Sequence, residues 1–311
     1  MYYHREQHFR SFDEFNRASH GWDSDFSTTS QDSYEVILKQ SAAPGLLVNT
    51  AWLSSPTLQQ ASTPRGMRTF ALPLQLAGPY CWRGLPVNER TLMVFPSDRE
   101  LFSMMGADSE VLTLSLGQRL VDNCLQAWDY DPDEIFSLPR TIKLSESQYD
   151  ELLRSMSLMA EFMIRYGDHS QFPQLSRGVQ EFLIENMLQP VIEYREQPKT
   201  SASAAAKCVK KAADYILTRL GEPVAVGDIC NQVSCSRRSL EQHFRKYTGT
   251  SPKQFIQITR LEHCRKALLA ATPDSKVSSI ALQHGFWHMG QFSQTYRRIF
   301  GETPSETLGR F

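Results

Sequence analysis

The chain has 311 residues, 41% hydrophobic and 22% charged, a globular composition with length for two ordinary domains. No apolar run approaches the roughly 18–20 residues of a membrane span, and the opening MYYHREQHFRSFDEF lacks the apolar segment of a secretory signal. The net charge of −1 hides an asymmetry: residues 207–311 hold 16 Lys and Arg against 8 Asp and Glu, the first 206 residues 17 against 26. The basic part suits a polyanion and the acidic part does not.

In chain order, residues 33–116 are strand-like. SYEVILKQ, GLLVNTAWLSS, MRTFALPLQLAG, RTLMVFP and SEVLTLSLG are short runs separated by Gly, Pro, Asn and Asp clusters, which predicts a sandwich or small barrel. From Gln118 the period changes. QRLVDNCLQAW reads as a helix, and Ser145 caps a second in which Leu152, Met156, Met159 and Met163 recur at helical steps. LSRGVQEFLIENMLQPVIEYRE is a third, expected to kink or break at Pro190. The small, polar QPKTSASAAAK marks a boundary. The expected division is 1–198, a linker at 199–206, and 207–311.

The basic third repeats itself. FRKYTGTSP (244–252) and YRRIFGETP (296–304) share an aromatic, basic residues, Gly and Pro at the same spacing. Before the first copy, a short helix with Ile229 and Val233 inward leads through SCS to a second helix. Ser236 caps it, Leu240 and Phe244 line its inner side, and Gly249 ends it. Ile280, Phe292, Tyr296 and Gly301 repeat the design, with a longer turn. Two short helices, a tight turn and bases on the second helix make a helix-turn-helix. Two on one chain can enter successive major grooves without dimerisation.

These residues resemble the AraC/XylS family of bacterial transcription regulators. GTSPKQFIQITRLEHC and SSIALQHGFWHMGQFSQTYRRIFGETPSE are similar to its two signatures, over roughly residues 205–311. Trp287, His288 and Met289 depart from the small or polar residues usual after Gly-Phe. GFWHMGQF itself resembles the ethanolamine-responsive subgroup. The resemblance implies an α+β chain: an N-terminal cupin-like β-barrel sensor with a helical dimerisation segment, and an all-α tandem helix-turn-helix domain. It also implies an activator controlled by a small-molecule effector, with promoter DNA and RNA polymerase as partners. A homodimer in the cytoplasm is expected. The alternative is an effector-independent regulator whose front domain binds a partner protein.

Arg238, Ser239, Glu241, Gln242, His288, Gln291 and Gln294 are the expected base-reading residues, because Arg suits guanine, Gln adenine and Glu cytosine N4. Arg237, Arg245, Lys246, Arg297 and Arg298 are expected on phosphate. Trp52, Phe70, Tyr80, Trp82 and Phe95 are candidates for an effector pocket, with Arg68 and Arg90 as anchors for an anion. No metal or cofactor is expected. Cys230 with Cys235 and His284 with His288 are poorly spaced for zinc, the six Cys read as reduced thiols, and no His occurs between His20 and His169, which speaks against a metal-dependent cupin enzyme.

Overall fold

The computed structural model describes residues 2–19, 21–30, 33–83, 85–96, 101–137, 139–167, 172–195, 204–272 and 275–309. The N-terminal half is built on two antiparallel sheets. The larger is ordered β1 (Tyr3–Phe9), β3 (Val36–Ala43), β4 (Leu46–Leu53), β11 (Ser109–Gly117), β6 (Met67–Gln75), β9 (Thr91–Val94) and β12 (Arg140–Lys143). The smaller is ordered β2 (Asp23–Thr28), β5 (Thr57–Ser62), β10 (Leu101–Met105), β7 (Tyr80–Trp82) and β8 (Leu85–Val87). The five strand-like runs of the sequence are β3, β4, β6, β9 and β11, all in the larger sheet. The smaller sheet has no sequence counterpart. No ladder joins the sheets among the described residues, so the cupin-like fold is an open sandwich and the expected closed barrel is corrected.

Side-chain alternation sends each strand of the larger sheet into two cores. On one face Phe70, Leu72, Leu114 and Leu116 meet four helices: α2 (Gln118–Ala127), α3 (Pro132–Phe136), α4 (Glu146–Tyr166) and α5 (Phe172–Arg195). Ser145 caps α4 by accepting from the Gln148 N–H at 3.2 Å, while Gln148 reaches back to the Ser145 N–H at 2.9 Å. The expected break at Pro190 does not occur, and α5 runs through it. Leu188 and Val191 beside it are fully buried, and this burial outweighs a local penalty of about 3 kcal/mol. On the inner face Val36, Leu38, Ala71, Met93 and Val111 meet Tyr80, Trp82 and Met105 of the smaller sheet, together with Phe12 and Phe15 of α1 (Phe12–Ala18).

The strand region is also not free of His. His4 and His8 lie on β1, which pairs with β3 from Tyr3↔Ala42 to Phe9↔Val36. Both are on its exposed side.

The C-terminal half is helical: α6 (Ala204–Leu217), α7 (Val226–Val233), α8 (Arg237–Thr248), α9 (Pro252–Leu269), α10 (Val277–Gln283), α11 (Met289–Phe300) and α12 (Pro304–Leu308). Residues 204–206, assigned above to the linker, form the first turn of α6, and 199–203 lie outside the described residues. The smaller sheet is buried on both faces. Leu58, Cys81, Phe102 and Met104 pack outward into one core with Val209, Ile216, Leu240 and Phe244 of α6 and α8.

Arg68 is buried in the N-terminal half. Its Nε and Nη2 each donate to Asp122 at 2.9 Å, and its guanidinium lies 4.4 Å from the Phe136 ring centroid. It clamps β6 to α2 and α3. Replacing Arg68 with Ala should remove about 3 kcal/mol from the urea unfolding transition, and Lys should recover less than half, lacking the two-pronged fork. A loss below about 1 kcal/mol for Ala would show that the clamp contributes no more than an exposed pair.

Candidate nucleic-acid interface

The α7–α8 unit is closed by local chemistry. Ser234 turns left-handed at φ 52 to end α7, and Ser236 caps α8 by accepting from the Ser239 N–H at 3.1 Å. Gly249 ends α8 at φ 72, a region where a side chain is strained. Leu240 and Phe244 are fully buried, which sets the outward line of the helix: Arg238, Gln242 and Arg245, all exposed. Ser239 and Lys246 flank this line on one side. On the other, Glu241 pairs with Arg237 at 3.3 Å. Near the turn, the Cys208 and Cys235 sulfurs are 3.6 Å apart, and burial pushes the Cys208 thiol up to about 12. Among the described residues no group of three or more His, Cys, Asp or Glu could hold a metal ion.

The second unit follows the first by a constant displacement. Adding 52 to the bounds of α8 gives those of α11, and Gly301 at φ 73 repeats Gly249. The turn before α11 spans residues 284–288 against 234–236 in the first copy. Phe292, Tyr296 and Ile299 face inward, so Gly290, Gln294 and Arg297 form the outward line. Gln291 and Arg298 stand beside it and share a shallow groove with Gln257 of α9. His288 is exposed at the N-cap without a side-chain capping bond. Trp287, noted in sequence only as a departure from the family pattern, is 72% exposed at the entrance to this helix.

The two units are tied by α9. Its first half supplies Phe255 and Ile256 to one core, its second half Leu261, Cys264 and Leu268 to the other. Arg260 donates to the Glu222 carbonyl beyond α6. It also lies against Gly285, where an added Cβ would meet Nη1 at 3.0 Å and φ is 79. Gly221 approaches Gln283, whose carbonyl oxygen would stand 3.1 Å from a Cβ there. The loop between α6 and α7 therefore packs directly on the end of α10, and Arg260 of α9 bridges that loop to the second turn.

A helix-turn-helix domain family matches residues 229–310. The XylDLEGF operon transcriptional activator 3 of Pseudomonas putida is 26% identical over 306 residues, covering 92% of this chain and 89% of that protein. The chain belongs to the AraC/XylS family. Another relative, from Rhodococcus erythropolis and named as a probable thc operon regulatory protein, is 30% identical over 199 residues, 63% of this chain and 56% of its own. A solved AraC-type transcriptional regulator from Chromobacterium violaceum is 32% identical, covering 33% of this chain and 91% of that one at a TM-score of 0.32. As an AraC/XylS member the protein is a DNA-binding transcription regulator, and the paired helices are its readers.

The GFWHMGQF stretch that resembles one effector subgroup forms the turn and first residues of this family member's second reader. It lies outside the N-terminal sandwich.

The reader helices also meet the N-terminal half through polar contacts. Arg265 of α9 is 3% exposed. Its Nε donates to Asp13 of α1 at 2.7 Å, and its Nη1 lies 2.6 Å from Glu302. Burial alone would lower its pKa, but Tyr296, Asp13 and Glu302 outweigh burial and hold it above the ordinary value. Lys266 pairs with Asp25 of β2. The Thr29 hydroxyl donates to the Thr248 carbonyl at 3.0 Å, and the Thr28 N–H to Glu262 Oε1 at 3.3 Å.

Between the sheets lies a cavity. Of the residues expected around an effector, Tyr80 and Phe95 line it. Trp82 sits behind Phe95, ring centroids 4.8 Å apart. Phe70 is not at the cavity, because it alternates with Ala71 and faces the helices against Phe136. Trp52 alternates with the lining residues Ala51 and Leu53 and points to the same far side. Arg68 is held by Asp122, and Arg90 pairs with Glu146 at 3.3 Å on the surface, so neither reaches the cavity. The cavity wall from α1 and β2 (Phe15, Ser19, Trp22, Ser24, Phe26) could not be found from sequence, since that segment reads as polar.

Glu262 makes the docking pH-sensitive. Burial, followed by the nearby Asp13 charge, raises its pKa from 4.5 to about 8, against the lowering influence of Lys266, the Thr28 N–H and Arg265. The folded protein therefore holds a proton that the unfolded chain releases, and the associated stability falls as pH rises from about 4.5 to 8, then levels off. His263, lowered by burial to about 4 from an ordinary 6.5, acts in the opposite sense and raises stability as pH rises through 4 to 6.5, so the Glu262 decline stands alone only above about pH 7. Thermal unfolding followed from pH 7 to 9 should show the decline in the parent protein and a flatter profile in Glu262→Gln. Equal slopes would mean that Glu262 is ionised in the docked state.

Proposed function

We propose that the protein is a cytoplasmic transcription activator in which a small molecule held in the N-terminal sandwich changes how the two readers meet promoter DNA and RNA polymerase. Residues 1–198 form the sensing and dimerisation domain and 207–311 the reader, with α6 beginning at Ala204, inside the 199–206 linker. One observation carries the reading: α1 and β2 are at once a wall of the cavity and the surface on which α9 docks. Phe15, Trp22 and Ser24 face the cavity, while Asp13 and Asp25, a few residues away, hold Arg265 and Lys266. A ligand that moves this segment must alter the docking, because buried ion pairs tolerate little displacement. The activator role is supported by the name of the Pseudomonas putida relative. The reading assigns no catalytic role.

In this reading Arg238, Ser239 and Gln242 read bases in one half-site, and His288, Gln291 and Gln294 in the other. Arg245, Lys246, Arg297 and Arg298 meet phosphate. Glu241 acts on the DNA only through Arg237, which it orients. Trp287 packs on the sugar-phosphate backbone. Leu158, Ile164 and Phe182, 62%, 54% and 50% exposed on α4 and α5, form the face of a homodimer. The same exposed face favours the second reading, an effector-independent regulator that binds a partner protein there. Monodispersity of the purified protein as a dimer, lost on Leu158→Glu, separates the two.

Asp13→Asn removes one of the two carboxylates on Arg265 without touching DNA. It should shift promoter affinity at least about threefold, some 0.6 kcal/mol, in a fluorescence titration. Unchanged affinity and unchanged run-off transcription would end the effector-control reading.

Within the readers, Gln242→Ala should lose roughly 1–3 kcal/mol on the preferred site and flatten the preference at one base pair. Arg297→Ala should weaken all sequences alike and lower the salt slope by about one unit. Titration against a site library at several salt concentrations distinguishes them. The opposite pattern would mean that the outward lines of the two helices have been assigned the wrong roles.

A further inference from the structure

The chemistry of the cavity selects its occupant. Among the described residues seventeen line it, and none of these is charged. The centre of a water-sized sphere can range over about 70 Å³ inside it. One water needs about 10–15 Å³ on that measure, so there is room for a single six-membered ring with a small substituent. The walls suit a flat ring: Phe15 meets Phe26 edge-on with centroids 4.9 Å apart, and Trp22 meets Phe95 edge-on at 6.0 Å.

Most polar groups at the cavity are already engaged. Trp22 Nε1 lies 3.0 Å from the Asn49 amide oxygen in the orientation that satisfies both groups. Gln59 accepts from the Ser103 hydroxyl at 2.8 Å, which leaves its –NH2 as its remaining polar group. Ser24 is different. Its Oγ is buried and has no hydrogen-bond partner among the described residues. A buried hydroxyl without a partner is costly, and a ligand group would satisfy it. The cation behind this wall, Arg5, is not at the cavity surface. It donates to the Ala18 carbonyl and to Gln40 Oε1. A carboxylate or an ammonium inside would therefore lose its water and gain no counter-charge.

We infer that the cavity takes an uncharged, single-ring aromatic molecule bearing one hydrogen-bonding group, such as a hydroxyl or a carboxamide, which seats against Ser24. This rests on the reading that the sandwich is the sensor. The ring fills the space between Phe15, Phe26, Trp22 and Phe95, and its polar group exchanges a hydrogen bond with Ser24 Oγ. Because Phe15 and Trp22 belong to the segment that docks α9, the ring pushes on the docking surface directly.

The test uses the full chain at pH 7.5 and four probes that share one ring: benzyl alcohol, benzamide, benzoate and benzylammonium. Binding is read by calorimetry and by the thermal midpoint. The two neutral probes should bind and raise the midpoint, with both ions at least about tenfold weaker. Ser24→Ala should weaken benzamide about fivefold, the loss of one ordinary hydrogen bond. Ala51→Leu, which fills the cavity from β4, should abolish binding. Benzoate or benzylammonium binding as tightly as benzamide, with Ser24→Ala silent, overturns the ligand class and leaves the sensor reading standing. Neutral probes that bind Ala51→Leu unchanged are not in this cavity, and that overturns the inference. If none of the four binds, the inference fails. The sensor reading fails separately, only if Asp13→Asn also leaves promoter affinity unchanged.

Discussion

Arg265 joins three parts of the chain at one buried charge. Its guanidinium takes Asp13 from the sensor, Glu302 from the segment before the last helix, and the Phe300 ring at 4.7 Å. A guanidinium this deeply buried is tolerated only while its carboxylates stay in place, and removing one partner of such a pair typically costs about 3–5 kcal/mol. The network continues through Glu302, which accepts from Thr307 Oγ1 at 2.8 Å, and Thr307 in turn accepts from the Tyr296 hydroxyl at 2.9 Å. Tyr296 is the inner residue of the second reader helix. A line of short polar contacts thus runs from α1, beside the cavity, to the core beneath a DNA-facing helix. These charged hydrogen bonds add direction to the apolar packing of β5, β7 and β10 against α6 and α8.

The smaller sheet and α9 share the rest of the burden. Its central strands turn some residues to the inner core and others to α6 and α8: Tyr80 and Trp82 inward, Cys81 outward beside Leu58, Phe102 and Met104. Helix α9 divides its apolar residues between the two reader cores and turns Glu262, Arg265 and Lys266 to the sensor. The N-terminal half and the readers are therefore not independent bodies on a tether. Their boundary is a packed layer, with a neutral Glu262 inside it at low pH and a charged one at high pH.

The two readers are similar scaffolds with different outer surfaces. Gln242 and Gln294 are equivalent, as are Arg245 and Arg297, but Arg238 of the first corresponds to Gly290 of the second. An Arg reaches far into a groove, whereas a Gly, with open space around it, lets the helix backbone come close. Helix α9, packed into both cores, carries these unequal surfaces on one continuous element.

The sequence by itself determined the readers. Their caps, their left-handed Gly249 and Gly301, their inward Leu240, Phe244, Phe292 and Tyr296 and their displacement of 52 residues are interactions within about one helical turn or one short loop, and such signals are written next to one another in the chain. It also determined five strands of the larger sheet, and the Ser145 cap of α4. Only the tertiary structure decided the rest. The smaller sheet was invisible because its strands are short and buried on both faces by partners far away, so no alternation of polar and apolar residues marks them. Pro190 stayed helical because burial of its neighbours outweighed a local preference. Phe70 and Ala71, adjacent in sequence, went to opposite cores because of strand pleat and sheet position. The pair that fixes the halves, Asp13 and Arg265, is separated by 252 positions. A charge carries no sign of its partner until the chain has folded and water has been excluded from between them.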